Sequence, residues 1–163
     1  MSKHANAALV ERFYSAFQKI DAEAMVACYH DDVAFSDPVF PALRGERAKG
    51  MWRMLCAQST DLRLTFDGVE ADDERGSARW EARYTFSKTG RPVHNIIEAR
   101  FRFADGLIVE HQDSFNLRRW AAMALGAKGV LFGWLPPVQN AIRGQAASAL
   151  DHYMAKRGAA PPS

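Results

Sequence analysis

The spacing of apolar residues changes once along the chain, and this change constrains the fold more than any other feature. Before about residue 60 apolar residues recur every three or four positions, as in the stripe Leu9, Phe13 and Phe17. Beyond that point they alternate, so that Trp80 and Tyr84 share one side of the stretch "SARWEARYTF". Helices followed by a run of antiparallel strands predict an α+β domain whose sheet curls around the helices.

The same patterns predict the individual elements. Helices are expected over residues 5–20, from a cap at Asp21 to about Tyr29, and over "GERAKGMWRMLCAQS". Strands are expected at "HDDVAFSDPVF", "LRLTFDGVEADD", "SARWEARYTF", "VHNIIEARFRF" and "LIVEHQDSFNL", with a tight "ADG" turn before the last. Further on, "RRWAAMALGAKG" and "VQNAIRGQAASALDHYMAKRG" are predicted helices joined by an apolar connector. The predicted organisation is a domain at 1–120, a helical extension at 121–157 and a disordered tail at 158–163.

Composition excludes several classes of partner. A chain of 163 residues suits one domain, and its net charge of +2 comes from scattered basic residues, which predicts no nucleic-acid partner. No apolar run reaches 18 residues, so no membrane partner is expected. Cys28 and Cys56 lack metal-site spacing and predict buried thiols in a reducing cytoplasm, with no metal and no cofactor.

Three ionisable residues interrupt otherwise apolar strand faces. Asp37 follows Val33 and Phe35 on one alternating face, while His111 and Asp113 alternate with Phe115. All three are therefore predicted to face the apolar interior. Burial there is expected to raise the pKa of at least one carboxylate, and His111 beside Asp113 is expected to favour its charged form. Groups with altered proton affinity suit proton-transfer chemistry.

Structural roles for these residues remain open alternatives. Asp-Pro commonly opens a turn, although Pro38 also biases Asp37 toward extended geometry. His111 could be a hydrogen-bonded core histidine that Asp113 merely orients. Glu110 and His111 point to opposite faces, which argues against a metal site. The chain also lacks a phosphate-binding glycine motif and a nucleophile elbow.

Apolar and aromatic residues of the predicted inner faces form the candidate ligand pocket. A pocket of this kind suits a small hydrophobic molecule with few polar contacts. The predicted lining residues are Phe13, Phe35, Trp52, Trp80, Tyr84, Asn95, Ile97, Phe101 and Phe115.

The order of elements, with "CYHDDVAFSDPVFPALRG" and "FRFADGLIVEHQD", resembles the nuclear-transport-factor-two-like superfamily. The resemblance is strongest to the SnoaL-like polyketide cyclases, with ketosteroid isomerases as cousins, and covers roughly residues 5–120. It implies a cone-like curved sheet, mixed or antiparallel, around three N-terminal helices. It also implies a homodimer formed through the outer face of the sheet.

The resemblance assigns roles residue by residue, and the match is partial. Asp37 falls at the general base of ketosteroid isomerases, whereas the tyrosine donor falls near Phe13 and the protonated acid at Ala99. Both oxyanion donors are therefore lost, which argues against a ketosteroid isomerase. His111 and Asp113 resemble the inward pair of SnoaL-like proteins, in which an aspartate is the acid and base of a cofactor-independent aldol closure.

Two functions from different classes follow. One is a cofactor-independent isomerase, cyclase or dehydratase in which Asp37, His111 and Asp113 are catalytic. The other is a non-catalytic domain that binds a hydrophobic ligand or forms a dimer, and the sequence does not decide between them. The apolar cluster Leu131, Phe132, Trp134 and Leu135 in the extension is expected to pack on the domain or on a second subunit.

Overall fold

The computed structural model describes residues 4–159, which form a mixed six-stranded sheet packed against helices. The helices are α1 (Ala5–Gln18), α2 (Ala22–Val26), α3 (Glu46–Gln58), α4 (Leu117–Leu125), α5 (Ala127–Phe132) and α6 (Pro136–Ala159). The strands are β1 (Tyr29–Ser36), β2 (Leu43–Arg44), β3 (Arg63–Ala71), β4 (Arg75–Phe86), β5 (Arg91–Ala104) and β6 (Leu107–Ser114). The predicted α+β class is confirmed.

The strand order of the sheet is β2-β1-β6-β5-β4-β3. All neighbouring strands are antiparallel except β1 and β6, which run parallel and place Ser36 opposite Gln112. Because these two strands run in the same direction, Asp37, the first residue after β1, lies beside Asp113 of β6. This one pairing determines where the two aspartates meet.

Local sequence signals account for the tightest turn and for a helix start. Asp105 and Gly106 join β5 to β6 with φ angles of 55° and 75°, as a two-residue hairpin turn requires. The Asp21 carboxylate accepts a hydrogen bond from the Ala24 N–H at 3.1 Å, which confirms the predicted cap of α2. Helix α2 ends earlier than predicted because the Cys28 carbonyl accepts from the Ile108 N–H at 2.9 Å, which draws the chain into the sheet.

The core lies between the inner face of the sheet and helices α1 and α3. Phe13, Trp52 and Phe101 are each at most 2% exposed. Ala78, Trp80 and the other inward residues of β4 alternate with more exposed neighbours, as predicted for this strand. The thiols of Cys28 and Cys56 are buried and free, which confirms their predicted burial.

The extension differs most from its prediction. Part of the expected connector is helical, since α5 runs to Phe132 and α6 begins at Pro136. Leu131, Phe132 and Trp134 are 62%, 48% and 53% exposed, so these side chains do not pack on their own domain, and the expected alternative, packing on a second subunit, stays a prediction. The buried residue of α5 is instead Gly129, which lies against the backbone of Ala121 in α4.

Helix α6 reaches back across the molecule. Leu150 is fully buried, and Met154 lies against Gly50 of α3. The predicted tail at 158–163 overlaps the end of α6, and its residues 160–163 lie outside the described part. Among residues 4–159, no helix combines the length and apolar character needed to cross a lipid bilayer.

Candidate functional site

A cavity of about 410 Å³ opens where β1 and β6 end side by side. Both aspartates that the sequence singles out, Asp37 and Asp113, line this cavity, together with Phe115. The remaining lining residues are Ser36, Pro38, Pro41, Gln112 and Ser114. The parallel pairing of β1 with β6 is what brings these two distant segments together.

Asp37 is both the first residue of a turn and part of the cavity lining. Its Oδ1 accepts the backbone N–H groups of Val39 at 2.7 Å and Phe40 at 2.6 Å. Burial raises the pKa of Asp37 to about 6; the Phe40 N–H opposes the rise, and the negative charge of Asp113 adds to it. The two sequence alternatives for Asp37 are therefore compatible, and the expected rise in the pKa of one carboxylate is confirmed.

His111 and Asp113 form a buried pair behind the cavity. They are 0% and 4% exposed, and His111 Nε2 lies 2.9 Å from Asp113 Oδ1. The Trp80 indole N–H donates to the same carboxylate oxygen over a long 3.5 Å. Asp113 lines the cavity whereas His111 does not, so a ligand there would meet the carboxylate first.

A buried line of hydrogen bonds continues from His111 to Trp52. The Trp52 indole N–H donates to the Tyr29 hydroxyl at 2.7 Å, and that hydroxyl lies 2.7 Å from His111 Nδ1. Because the Tyr29 oxygen already accepts from Trp52, its own proton is free to point at Nδ1. In that arrangement His111 Nε2 donates to Asp113 Oδ1. The charged form of His111 that the sequence favours stays a prediction.

Aromatic rings fill the space around His111. The ring centroids of Phe101, Phe35, Phe13 and Trp52 lie 4.5, 5.1, 5.6 and 6.0 Å from that of the imidazole. These rings form the wall behind the pair of His111 and Asp113, so the interior at His111 is packed rather than hollow. Of the nine predicted lining residues, only Phe115 reaches the cavity.

The other predicted lining residues lie farther along β4 and β5. Trp80 and Ile97 are core residues paired across the two strands, and Asn95 is partly exposed opposite Ala82. The Tyr84 hydroxyl accepts the indole N–H of Trp120 at 2.7 Å. Burial raises the pKa of Tyr84, and the charge of Asp37 adds to that rise, so this phenol lies within electrostatic reach of the cavity.

Sequence reasoning gave no role to two tyrosines of the site. Tyr29 shares the odd-numbered alternation of Val33, Phe35 and Asp37, so the alternation could have identified it. Tyr14 lies one position from Phe13, where the resemblance to ketosteroid isomerases places a tyrosine donor. Its hydroxyl is fully buried and has no hydrogen-bond partner within residues 4–159, and burial with the nearby Asp113 charge raises the pKa of Tyr14. In the same residues, no group of three or more His, Cys, Asp or Glu side chains is arranged to hold a metal ion.

Solved structures share the fold at low sequence identity. A putative polyketide cyclase, IdmH, from Streptomyces antibioticus has a TM-score of 0.63 at 24% identity, covering 76% of this chain and all of that one. A nuclear-transport-factor-2-like protein of unknown function from Burkholderia pseudomallei K96243 has a TM-score of 0.61 at 21% identity, covering 70% and 92%. An LEH-like epoxide hydrolase from M. tuberculosis has a TM-score of 0.60 at 20% identity, covering 82% of this chain and 95% of that one.

No curated protein sequence matches the chain. The family model of the SnoaL-like domain, in contrast, matches residues 10–111, well over half of the chain. The matched segment contains α1 from residue 10 onward, the helices α2 and α3, the strands up to the middle of β6, and both Asp37 and His111. The chain therefore belongs to the SnoaL-like domain family and has the nuclear-transport-factor-2-like fold, as its sequence resemblance implied.

Proposed function

We propose that the protein binds a small hydrophobic carbonyl compound in the cavity between β1 and β6 and moves a proton on it without a cofactor. The observation that carries this proposal is the meeting of two carboxylates in different environments at one cavity. Asp37 has a pKa of about 6, whereas Asp113 is held by hydrogen bonds from buried partners. Two such groups can divide the work of acid and base.

Asp37 is the general base of this proposal. A carboxylate with a pKa of about 6 is mostly ionised at neutral pH yet binds a proton far more tightly than an ordinary aspartate. Its Oδ1 is held by two backbone N–H groups, which fixes the side chain at the cavity. Asp37 takes a proton from the carbon next to the carbonyl, and the electron pair moves onto the carbonyl oxygen as an enolate.

Asp113 is the second group, and His111 positions it. The enolate either regains the proton at another carbon, which is an isomerisation, or attacks a second carbonyl of the same molecule, which is an aldol closure. Loss of the resulting hydroxyl as water would be a dehydration. Asp113 exchanges the second proton of these steps, while His111, Tyr29 and Trp52 hold its carboxylate in place. The name of one structural neighbour, a putative polyketide cyclase, supports the aldol route.

A non-catalytic role is the second candidate. The rings packed around His111 favour it, since they leave the imidazole no direct access to a ligand. On this reading the cavity binds a hydrophobic molecule and the dyad serves only to order the core. The homodimer and the cytoplasmic location that the sequence indicates stay predictions.

Deuterium exchange separates the two candidates. The probe is 2-tetralone, a bicyclic ketone, incubated with the protein in D2O while NMR follows loss of the signals next to the carbonyl. Wild type should accelerate exchange, and Asp37→Asn should lower that acceleration by about 10²- to 10⁴-fold while keeping the shape of the residue. The matched control is Asp67→Asn at an exposed aspartate of β3.

Two results would decide against catalysis. One is an Asp37→Asn variant that exchanges the ketone as fast as the Asp67→Asn control. The other is a wild-type protein that binds 2-tetralone, as seen by chemical-shift changes, without accelerating exchange. The second result would support the binding role.

A further inference from the structure

Arg143 of α6 is half-buried and reaches the turn that carries Asp37. Its Nε–H donates to the Pro38 carbonyl oxygen at 2.8 Å, and a second guanidinium N–H donates to Asn140 Oδ1 at 3.0 Å. Asn140 lies about one turn earlier on α6, so the helix itself holds the guanidinium in place. Arg143 lies well beyond residue 111, where the match to the SnoaL-like family model ends. The extension therefore supplies this contact.

The peptide group between Pro38 and Val39 links this guanidinium to the Asp37 carboxylate. Its C=O accepts from Arg143, and its N–H donates to Asp37 Oδ1 at 2.7 Å. In a planar trans peptide the C=O and the N–H point in opposite directions, so the two contacts fix the peptide plane from both sides. A positively charged donor on the carbonyl also polarises the amide and makes its N–H a stronger donor. Arg143 thus strengthens the hydrogen bond that holds Asp37.

Other contacts anchor α6 on both sides of Arg143. Ile142 packs with the apolar cluster of α4, and Ala146 packs on the main core. Farther along the helix, an Arg47 guanidinium N–H of α3 donates to Asp151 Oδ1 at 2.7 Å. Because these contacts dock α6 without Arg143, its guanidinium is brought to the turn by the packing of the helix.

We propose that Arg143 is a positioning residue, which orients the Asp37 carboxylate through the peptide between Pro38 and Val39. The inference rests on the proposed role of Asp37 as the general base. With Oδ1 held in this way, Oδ2 is the oxygen that takes the proton from the ligand. Because the orienting group comes from α6, the extension is part of the site. The alternative is that Arg143 only fastens α6 to the body, as Arg47 does.

Amide NMR of the isotope-labelled full chain tests the orienting role without any ligand. Arg143→Met keeps the length of the side chain and removes its charge and its donors. The Val39 amide proton should move upfield, and by more than that of Phe40, because only the peptide of Val39 accepts from Arg143. Arg143→Lys keeps a charged donor and should restore much of the wild-type position. The matched control is Arg47→Met, which removes an ion pair between α3 and α6 and should move neither signal.

Deuterium exchange into 2-tetralone tests the consequence for catalysis. Arg143→Met should lower kcat about 10- to 100-fold with KM little changed, which is the factor that a hydrogen bond to a charged group contributes. Arg143→Lys should recover most of the rate, and Arg47→Met should keep the wild-type rate.

Three results would overturn the proposal. One is a Val39 signal that moves no more than that of Phe40 in Arg143→Met, and another is a kcat that Arg143→Met leaves unchanged. The third is an Arg47→Met variant that matches Arg143→Met in both measurements, since both residues would then only fasten α6. If wild type does not accelerate the exchange, the proposed catalysis fails, and the amide shifts still decide whether Arg143 orients Asp37.

Discussion

Two buried tyrosines differ in their hydrogen bonds and make a matched pair for testing the site's energetics. Tyr29 and Tyr14 are 2% and 0% exposed, and both lie in the core beside His111 and Trp80 respectively. The Tyr29 hydroxyl joins Trp52 to His111, while the Tyr14 hydroxyl has no partner within residues 4–159. Replacing each by phenylalanine removes one oxygen atom and changes little else.

The expected costs follow from what each oxygen leaves behind. Tyr29→Phe leaves the Trp52 indole N–H and His111 Nδ1 buried without partners, at about 1 to 3 kcal/mol each. The free energy of unfolding should therefore fall by roughly 2 to 6 kcal/mol. Tyr14→Phe removes a hydroxyl that is itself buried without a partner, so stability should stay within about 1 kcal/mol of wild type or rise.

Urea unfolding followed by far-ultraviolet circular dichroism measures both changes. The midpoints should differ while the slopes with urea stay equal, which shows that the unfolded states are comparable. If Tyr14→Phe costs as much as Tyr29→Phe, the hydroxyl of Tyr14 has a strong partner and the reasoning is wrong. A Tyr29→Phe variant as stable as wild type would show that the line from Trp52 to Asp113 contributes nothing to folding.

Three further predictions concern Asp37 and the glycines. The rate of deuterium exchange into 2-tetralone should rise about tenfold per pH unit below pH 6 and level off above it, because Asp37 must be ionised to act as a base; a flat profile from pH 4 to 8 would contradict this role. Folding of wild type raises the pKa of Asp37 from 3.8 to about 6, so the folded state binds more protons and stability falls as pH rises through that window. Asp37→Asn keeps a carbonyl oxygen for the turn but cannot ionise, so it lacks this loss of stability. Urea unfolding should show the variant to be more stable than wild type at pH 8, by at most roughly 3 kcal/mol, and the difference should shrink toward pH 4. A variant that is less stable than wild type at pH 8 would refute the burial argument. Gly129→Ala should lower the free energy of unfolding by more than about 2 kcal/mol because its methyl group overlaps the Ala121 carbonyl, whereas Gly144→Ala should raise it by up to about 1 kcal/mol, and equal effects in thermal unfolding would contradict the close packing of α5 on α4.

Alternation in the sequence predicted the faces of the strands well. The residues of "VEHQDS" show why, since His111 and Asp113 are buried and their neighbours Glu110, Gln112 and Ser114 are exposed. This periodicity is a local property of an extended chain, so one sequence suffices to detect it. The cap at Asp21 and the turn at Asp105-Gly106 are local in the same sense.

The meeting of Asp37 with Asp113 depended on information that is not local. It requires β1 to pair with β6 in parallel and in one register, and residues 36 and 112 are far apart in the chain. Whether the interior is hollow or filled depends on how ring volumes add up around His111, which alternation does not report. The exposed apolar face of α5 likewise follows from the fit of Gly129 against Ala121, a contact between two helices.

The run of donors from Trp52 through Tyr29 and His111 ends at the one member that touches the cavity, Asp113. An indole whose N–H is polarised by such a run changes its absorption and emission when the charge at the far end changes. A molecule that neutralises or displaces that carboxylate should therefore change the near-ultraviolet signal of Trp52, and also that of Trp80, whose indole N–H donates to the same carboxylate oxygen.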